Sequence, residues 1–233
     1  MELDETEQYW EEVRSRATHY LDKRIEIRGN NVWPGEHNYL VDQLTHTLKD
    51  HKVQSVLDVG CGYGRDSLYF AKQGFEVTAI DLSRLGLSIG REKALLLGCN
   101  IHFIEEDFLS CNFKGQVFDC IYLYKFLHQV RPCHLSAFMN KLLTVLSPLG
   151  VLALATFAIS DPGYGRGMNI EKDVYDERGF RPVHYFSWLK LRDLLRSFRI
   201  IWRELVTTPE QSYEGDPLRC YEHKLWYLVA KLR

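Results

Sequence analysis

The spacing of apolar residues changes character along the chain, and the changes mark its elements. Near the amino terminus, Trp10, Val13, Ala17, Tyr20 and Leu21 recur at helical intervals, and Leu40, Leu44 and Leu48 share a second helical stripe. Between the two, RGNNVWPGE at 28–36 has the glycine, asparagine and proline of a loop. From residue 53 short apolar runs alternate with helical periodicity. VQSVLDVG predicts a strand leading to a helix that begins near Arg65, and GFEVTAIDLS predicts a strand ending in an acid. Residues 84–97 have a helical pattern, IHFIEED reads as a strand ending in acids, and QVFDCIYLY reads as a fourth strand. An amphipathic helix is predicted over 133–146, followed by GVLALATFA, which is apolar enough for burial on both faces.

Repeated strand–helix units with uniformly apolar strands predict a doubly wound α/β domain on a mostly parallel sheet joined by right-handed crossovers. The carboxy-terminal third differs. Residues 160–186 are rich in glycine, charge and aromatic side chains, the composition of a mobile loop or lid rather than a core element. A helix around 187–197 precedes RIIWRELV and HKLWYLVAKL, two strands whose connection, TTPEQSYEGDPLRCYE, is a loop, so they are expected to pair antiparallel. The chain divides into an N-terminal helical extension or lid over 1–50 and one domain over 51–233, a length that a single hydrophobic core serves.

Charge narrows the partners. Lysine and arginine number 29 against 31 aspartates and glutamates, so no broad basic footprint marks nucleic acid or an anionic membrane as a target. The six cysteines form no CxxC pair and no Cys/His cluster, so neither a metal site nor a disulfide framework is expected. MELDETEQYWEEV lacks the basic and apolar regions of a signal peptide, and VLALATFAI, the longest apolar run, falls short of a membrane span. These features lead us to expect a cytoplasmic protein with no membrane association.

The chemistry concentrates at strand ends. In VLDVGCGYGRD, residues 56–66, Gly60, Gly62 and Gly64 follow an apolar strand that carries Asp58. Ligands of open α/β sheets sit at the carboxyl ends of strands, where glycine lets backbone turn sharply and approach them. The spacing is GxGxG rather than the GxGxxG of a dinucleotide site, and Asp58 is a poor neighbour for pyrophosphate but suits an ammonium group. Asp81 ends the next strand about twenty residues past Gly60, where a carboxylate can accept from both ribose hydroxyls. Glu106 and Asp107 end the third, where an ionised acid accepts from an exocyclic amine. Acids at successive strand ends repel a phosphorylated dinucleotide and match a cationic nucleoside such as S-adenosylmethionine.

Taken together, VLDVGCGYGRD, VTAIDLS, EED and FDCIYLYKFLH resemble the consecutive motifs of class I S-adenosylmethionine-dependent methyltransferases over residues 53–157. GCGYGRDSLYFAKQGFEVTAIDLS is similar to their small-molecule branch, which includes tellurite-resistance and thiopurine-type enzymes. The resemblance implies a Rossmann-like, seven-stranded sheet with an antiparallel last strand. It also implies Asp58 near the methionine ammonium, Gly60 and Gly62 under the methionine part, Asp81 on the ribose, and Asp107 with the Phe108 amide at the adenine. Cys61, Arg65, Leu82 and Tyr124 complete the expected cofactor-binding set. SPLG at 147–150 departs from the family, which more often has a second glycine before Gly150, so an altered turn is expected there.

The remaining candidates keep two readings each. Cys61 is read as a small buried filler rather than a nucleophile, and Asp66 as a first-turn acid complementing its helix dipole. Trp33 either covers the sulfonium by a cation–π contact or packs as a staple. His128, just past the fourth strand, is a candidate general base or a packed histidine at a turn. Tyr164, Arg166, His184 and Tyr185 could close over a substrate, although Tyr185 and Phe186 equally suit packing of the last helix. His223, opening the last strand, is a substrate contact or an edge residue.

The expected function is transfer of a methyl group to a small-molecule acceptor by in-line displacement, releasing S-adenosylhomocysteine, with no metal. The alternatives are methylation of RNA or protein and a non-catalytic S-adenosylmethionine-binding scaffold. YLYK at the fourth strand end lacks the Asp/Asn-Pro-Pro-Tyr signature of amino-group methylation on nucleic-acid bases.

Overall fold

The computed structural model describes residues 8–9, 38–177, 182–211 and 220–233. The core is a seven-stranded sheet of order β3-β2-β1-β4-β5-β10-β9. Its strands are β1 (Ser55–Val59), β2 (Glu76–Asp81), β3 (Ile101–Glu105), β4 (Phe118–Tyr124), β5 (Leu146–Phe157), β9 (Phe198–Gln211) and β10 (Cys220–Leu232). The first five run parallel, while β10 is antiparallel to both β5 and β9. Helices α2 (Arg65–Lys72), α3 (Arg84–Leu96) and α4 (Leu135–Val145) make the crossovers, preceded by α1 (Tyr39–Asp50) and followed by α5 (Trp188–Leu194).

Both faces of the sheet are covered, which is why the parallel strands carry nearly continuous apolar sequence. On one face Leu57, Val59, Ile121, Leu152 and Leu154 meet Phe138 and Leu142 of α4 and Leu191 of α5. On the other Val56, Tyr122, Ala153, Ala155 and Tyr227 meet Leu40, Val41, Leu44 and Leu48 of α1 and Phe70 of α2. The core thus begins with α1, ahead of residue 51, because the Leu40/Leu44/Leu48 stripe has its partners in the sheet. Asn38 caps α1 by accepting from the Val41 amide at 3.3 Å.

Sheet order reverses between β1 and β4, so the carboxyl ends of these neighbours mark the crevice where open α/β sheets bind their ligands. All the acids singled out in the sequence stand along this edge. At the opposite end, Leu149 adopts a left-handed backbone, φ 63°, within the SPLG segment where the family more often has glycine.

Residues 160–186, where composition predicts a mobile loop or lid, contain regular structure among the described residues. A second sheet, β6-β7-β8, is built from Met168–Glu171, Val174–Asp176 and Val183–His184. Its strands are two to four residues long, too short for an alternating pattern to show, and the first hairpin turns at Asp173 with φ 63°. The final hairpin also exceeds expectation, since β9 reaches Gln211 and β10 starts at Cys220, well inside the predicted loop. Residues 1–7 and 10–37, with Trp33 and the first helical stripe, lie outside the described residues.

Candidate active site

The turn after β1 is held by backbone. The Gly60 and Cys61 amides donate to the Ile80 carbonyl of β2 at 2.8 and 3.2 Å, and Gly60, Gly62 and Gly64 all have positive φ. At Gly60 a Cβ would stand 2.2 Å from Cδ2 of Phe126, so this glycine is required both for its backbone and for the ring laid on it from the β4 loop. The two loops of the crevice therefore touch at Gly60.

Asp58 is buried beneath this turn and accepts from Ser67 Oγ at 2.5 Å. Burial pushes its carboxyl up to about 8, helped by neighbouring Asp66 and Asp81 and opposed by the Ser67 bond and Arg65. Burial also raises the Cys61 thiol well above its ordinary range, with Asp58 and Asp81 adding to the rise, so Cys61 is a neutral filler and not a thiolate nucleophile.

Asp81 closes β2 with both oxygens engaged. Oδ2 accepts from the Gly62 amide and Oδ1 from the Ser83 amide, each at 2.8 Å, which ties the glycine turn to the start of α3. Leu82 beside it is 45% exposed, an apolar surface available to a nucleobase. Asp107, past the end of β3, is exposed and accepts from the Leu109 amide at 3.2 Å, while the Phe108 ring is buried in the core.

A buried polar cluster that sequence alone does not reveal lies behind the turn. Asp66 Oδ2 accepts from Asn38 Nδ2 and from the Tyr122 hydroxyl, the latter at 3.1 Å, and Asn38 Nδ2 also donates to Tyr122 at 2.7 Å. Arg65 Nε donates to Asp66 Oδ1 at 2.9 Å, and its guanidinium lies 5.7 Å from the centre of the Tyr124 ring. Asp66 thus does more than complement a dipole: it joins α1, α2 and β4 at the site. In the sequence Asn38 stands only as an asparagine just ahead of the Leu40/Leu44/Leu48 stripe, and its second role depends on Tyr122 being opposite.

A second group of side chains is organised around Phe157, the last residue of β5. His128 meets its ring at 4.8 Å between centres, His223 at 5.0 Å and Tyr185 at 6.0 Å, and Lys125 Nζ lies 5.8 Å from the ring centre. His128 is fully buried, whereas the His223 side chain is 23% exposed. His223 Nδ1 lies 3.1 Å from Oδ2 of Asp161, a buried carboxylate that also accepts from the Lys224 and Gly163 amides at 2.7 Å each. Asp161 was missed in the sequence; its only signal is the turn-forming DPG that follows Ser160.

The other lid candidates separate. His184 is buried, with Nδ1 on the Val130 carbonyl at 3.0 Å and Nε2 on Lys190 Nζ at 2.6 Å. Burial pulls it down to about 4, which leaves it a neutral link between β8 and α5. Tyr164 donates to Asp173 at 3.0 Å, which pushes its hydroxyl up to about 12, and its ring packs on Tyr175 and Tyr185. Arg166 makes an exposed contact with Glu177 at 3.9 Å. Tyr9 donates to the buried Asp176, so the N-terminal segment touches the small sheet.

The family of methyltransferase domains matches residues 56–150, from β1 through the glycine turn to the start of the apolar run of β5. Over these residues the chain is similar to methyltransferase domains. The carboxy-S-adenosyl-L-methionine synthase of Campylobacter hominis is 29% identical over 154 residues, 65% of this chain and 59% of that protein. The chain thus spans under two thirds of that relative's length. Among solved structures, TehB from Haemophilus influenzae superposes with a TM-score of 0.67 at 15% identity over 88% of this chain and 66% of that one. The Burkholderia thailandensis 1,6-didemethyltoxoflavin-N1-methyltransferase, solved with bound 1,6-didemethyltoxoflavin and S-adenosylhomocysteine, gives a TM-score of 0.68 at 23% identity over 100% of this chain and 92% of that one. The fold is that of class I methyltransferases, and the matched domain contains the whole acid-lined edge, while Asp161, His223 and the small sheet lie beyond it. Among the described residues, no helix is long and apolar enough to cross a membrane.

Proposed function

We propose that the protein is an S-adenosylmethionine-dependent methyltransferase acting on a small-molecule acceptor. The observation that carries this reading is the buried Asp58 carboxyl under a turn of three positive-φ glycines, with Asp81 on the adjacent strand. With Asp58 ionised, this arrangement is hostile to phosphate and complementary to an ammonium group and a ribose.

In this reading Asp58, Gly60, Cys61 and Gly62 receive the methionine part, Asp81 the ribose, and Leu82, Asp107 and Phe108 the adenine. Arg65 and Tyr124 close the β4 side. The segment ahead of α1 acts as a lid, a role supported by the Tyr9–Asp176 contact. The displacement needs a nucleophile held in line with the methyl carbon and sulfur, and shelter from water supplies the rest of what the fold contributes. The near balance of charge, −2 overall, favours a small acceptor over RNA, and we place the protein in the cytoplasm.

Calorimetry with S-adenosylmethionine and S-adenosylhomocysteine, with NADH as control, tests the reading. Micromolar or tighter binding of the first two is expected. Binding of NADH instead, or of none of the three, overturns it.

A further inference from the structure

We propose that His223, oriented by Asp161, is the general base that removes the proton from the methyl acceptor, and that the acceptor is a planar unsaturated ring carrying an ionisable O–H or N–H. The inference rests on the methyltransferase reading above and gives that site its acceptor class.

Three observations carry it. The first is topological. β10 runs antiparallel to β5 with Leu225 opposite Phe157, so His223 lies beyond the carboxyl end of β5, on the edge where the crevice opens. The second is the dyad. Asp161 has no exposed side-chain surface and is fixed by two backbone amides, so the Nδ1–H of His223 donates to an acceptor that cannot turn away. This fixes the tautomer with the lone pair on Nε2, and the carboxylate favours the imidazolium formed on proton uptake. Of the two imidazoles on the Phe157 ring, His223 alone reaches solvent, to which a base must return its proton each cycle; His128 is enclosed.

The third is the surroundings. Phe157, Tyr185, Tyr175 and Tyr164 form a connected set of mostly edge-to-face rings beside the dyad, of which the 37% exposed Tyr164 reaches the surface, an aromatic lining suited to an unsaturated ring. Lys125 holds a left-handed backbone, φ 51°, at the end of β4. Strained non-glycine backbone of this kind collects at functional sites. Its ammonium, 5.8 Å from the Phe157 ring centre, favours negative charge developing on the acceptor. Among the described residues, the groups facing His223 include Asp161 from the β5–β6 connection, His128 and Lys125 across the Phe157 ring, Tyr185 beside β8, and Thr208 opposite on β9. A metalloid oxyanion reacts through its own lone pair with no proton to lose and would gain nothing from a carboxylate-backed base.

In the step, the acceptor heteroatom forms a bond to the methyl carbon as the carbon–sulfur bond breaks. The bonding pair goes to sulfur, leaving neutral S-adenosylhomocysteine, and the acceptor's proton passes to His223 Nε2 and then to water.

The test has two stages. Calorimetry with S-adenosylmethionine on wild type, His223→Gln and Asp161→Asn must give equal binding; a wild type that does not bind overturns the methyltransferase reading itself. Methyl-labelled cofactor is then offered with catechol, 4-hydroxybenzoate, 8-hydroxyquinoline and xanthine, against dithiothreitol and selenite. We expect turnover of at least one ring O–H or N–H compound, with kcat/KM rising with slope one to a plateau as pH increases. His223→Gln should lower kcat by about 100-fold or more and abolish that acid limb, with partial rescue by added imidazole. Asp161→Asn should lower kcat less and move the limb to lower pH, because the carboxylate that favours the imidazolium is gone. Cofactor binding without turnover of any ring compound, methylation confined to dithiothreitol or selenite, or an unchanged pH profile in His223→Gln overturns the proposal.

Discussion

Ser67 Oγ lies 2.5 Å from Oδ2 of Asp58, a single hydroxyl set against a buried carboxyl at the floor of the glycine turn. One hydrogen bond does not replace the water that burial removes, so Asp58 keeps its proton to about pH 8. A ligand ammonium needs the ionised form. Binding of S-adenosylmethionine should therefore expel a proton below this value, and affinity should rise by up to about tenfold per unit between about pH 6 and 7.5. Calorimetry in buffers of different ionisation enthalpy reads both effects; no proton release at pH 7 would contradict the assignment.

The same group sets the sign of a stability effect. Its folded value of about 8 lies above the 3.8 of an ordinary aspartate, so folded protein holds the proton more tightly than unfolded chain. The contribution of Asp58 is most favourable below about pH 4 and is lost progressively as pH rises to about 8. Asp58→Asn, which cannot ionise, should raise Tm at pH 8 by several degrees while abolishing cofactor binding. Thermal melts at pH 5 and pH 8 check the prediction, with the smaller gain at pH 5.

Asp81 has two roles that separate by substitution. Asp81→Ala removes the acceptor of the Gly62 and Ser83 amides, and we expect about 1–2 kcal/mol of lost stability and about 1–3 kcal/mol of lost cofactor binding. Asp81→Asn keeps one acceptor oxygen and should recover most of the stability but only part of the binding. Urea unfolding alongside calorimetry distinguishes the two.

Asn38→Ala deletes the amide that donates to both Asp66 and Tyr122 in a buried cluster and also removes the α1 cap. The expected cost is about 2–4 kcal/mol, above that of a surface cap alone, because polar groups are left buried without this donor. Urea midpoints measure it. A loss below about 1 kcal/mol would mean that water reaches the cluster.

Leu149→Gly tests the strained turn far from the site. Leu149 is 62% exposed with φ 63°, so removing its Cβ should stabilise the fold by about 0.5–1 kcal/mol and leave cofactor affinity unchanged.

The strand–helix alternation, the parallel sheet and the acids Asp58 and Asp81 were legible in the sequence by itself. Each depends on local regularities: apolar runs of strand length, glycines spaced for a turn, and a carboxylate at a strand end, all within the contiguous stretch 53–157. What belongs to tertiary structure is every partnership between distant segments. The Asp161–His223 pair joins residues 62 apart in sequence, and Asn38–Tyr122 residues 84 apart. No periodicity encodes such pairings, because they arise only when β10 inserts between β5 and β9 and α1 packs across β4. The small sheet escaped for a related reason. Strands of two to four residues carry too few positions to show alternation, and their stability comes from the Tyr164–Tyr175–Tyr185 packing and the His184–Lys190 contact that the fold assembles around them.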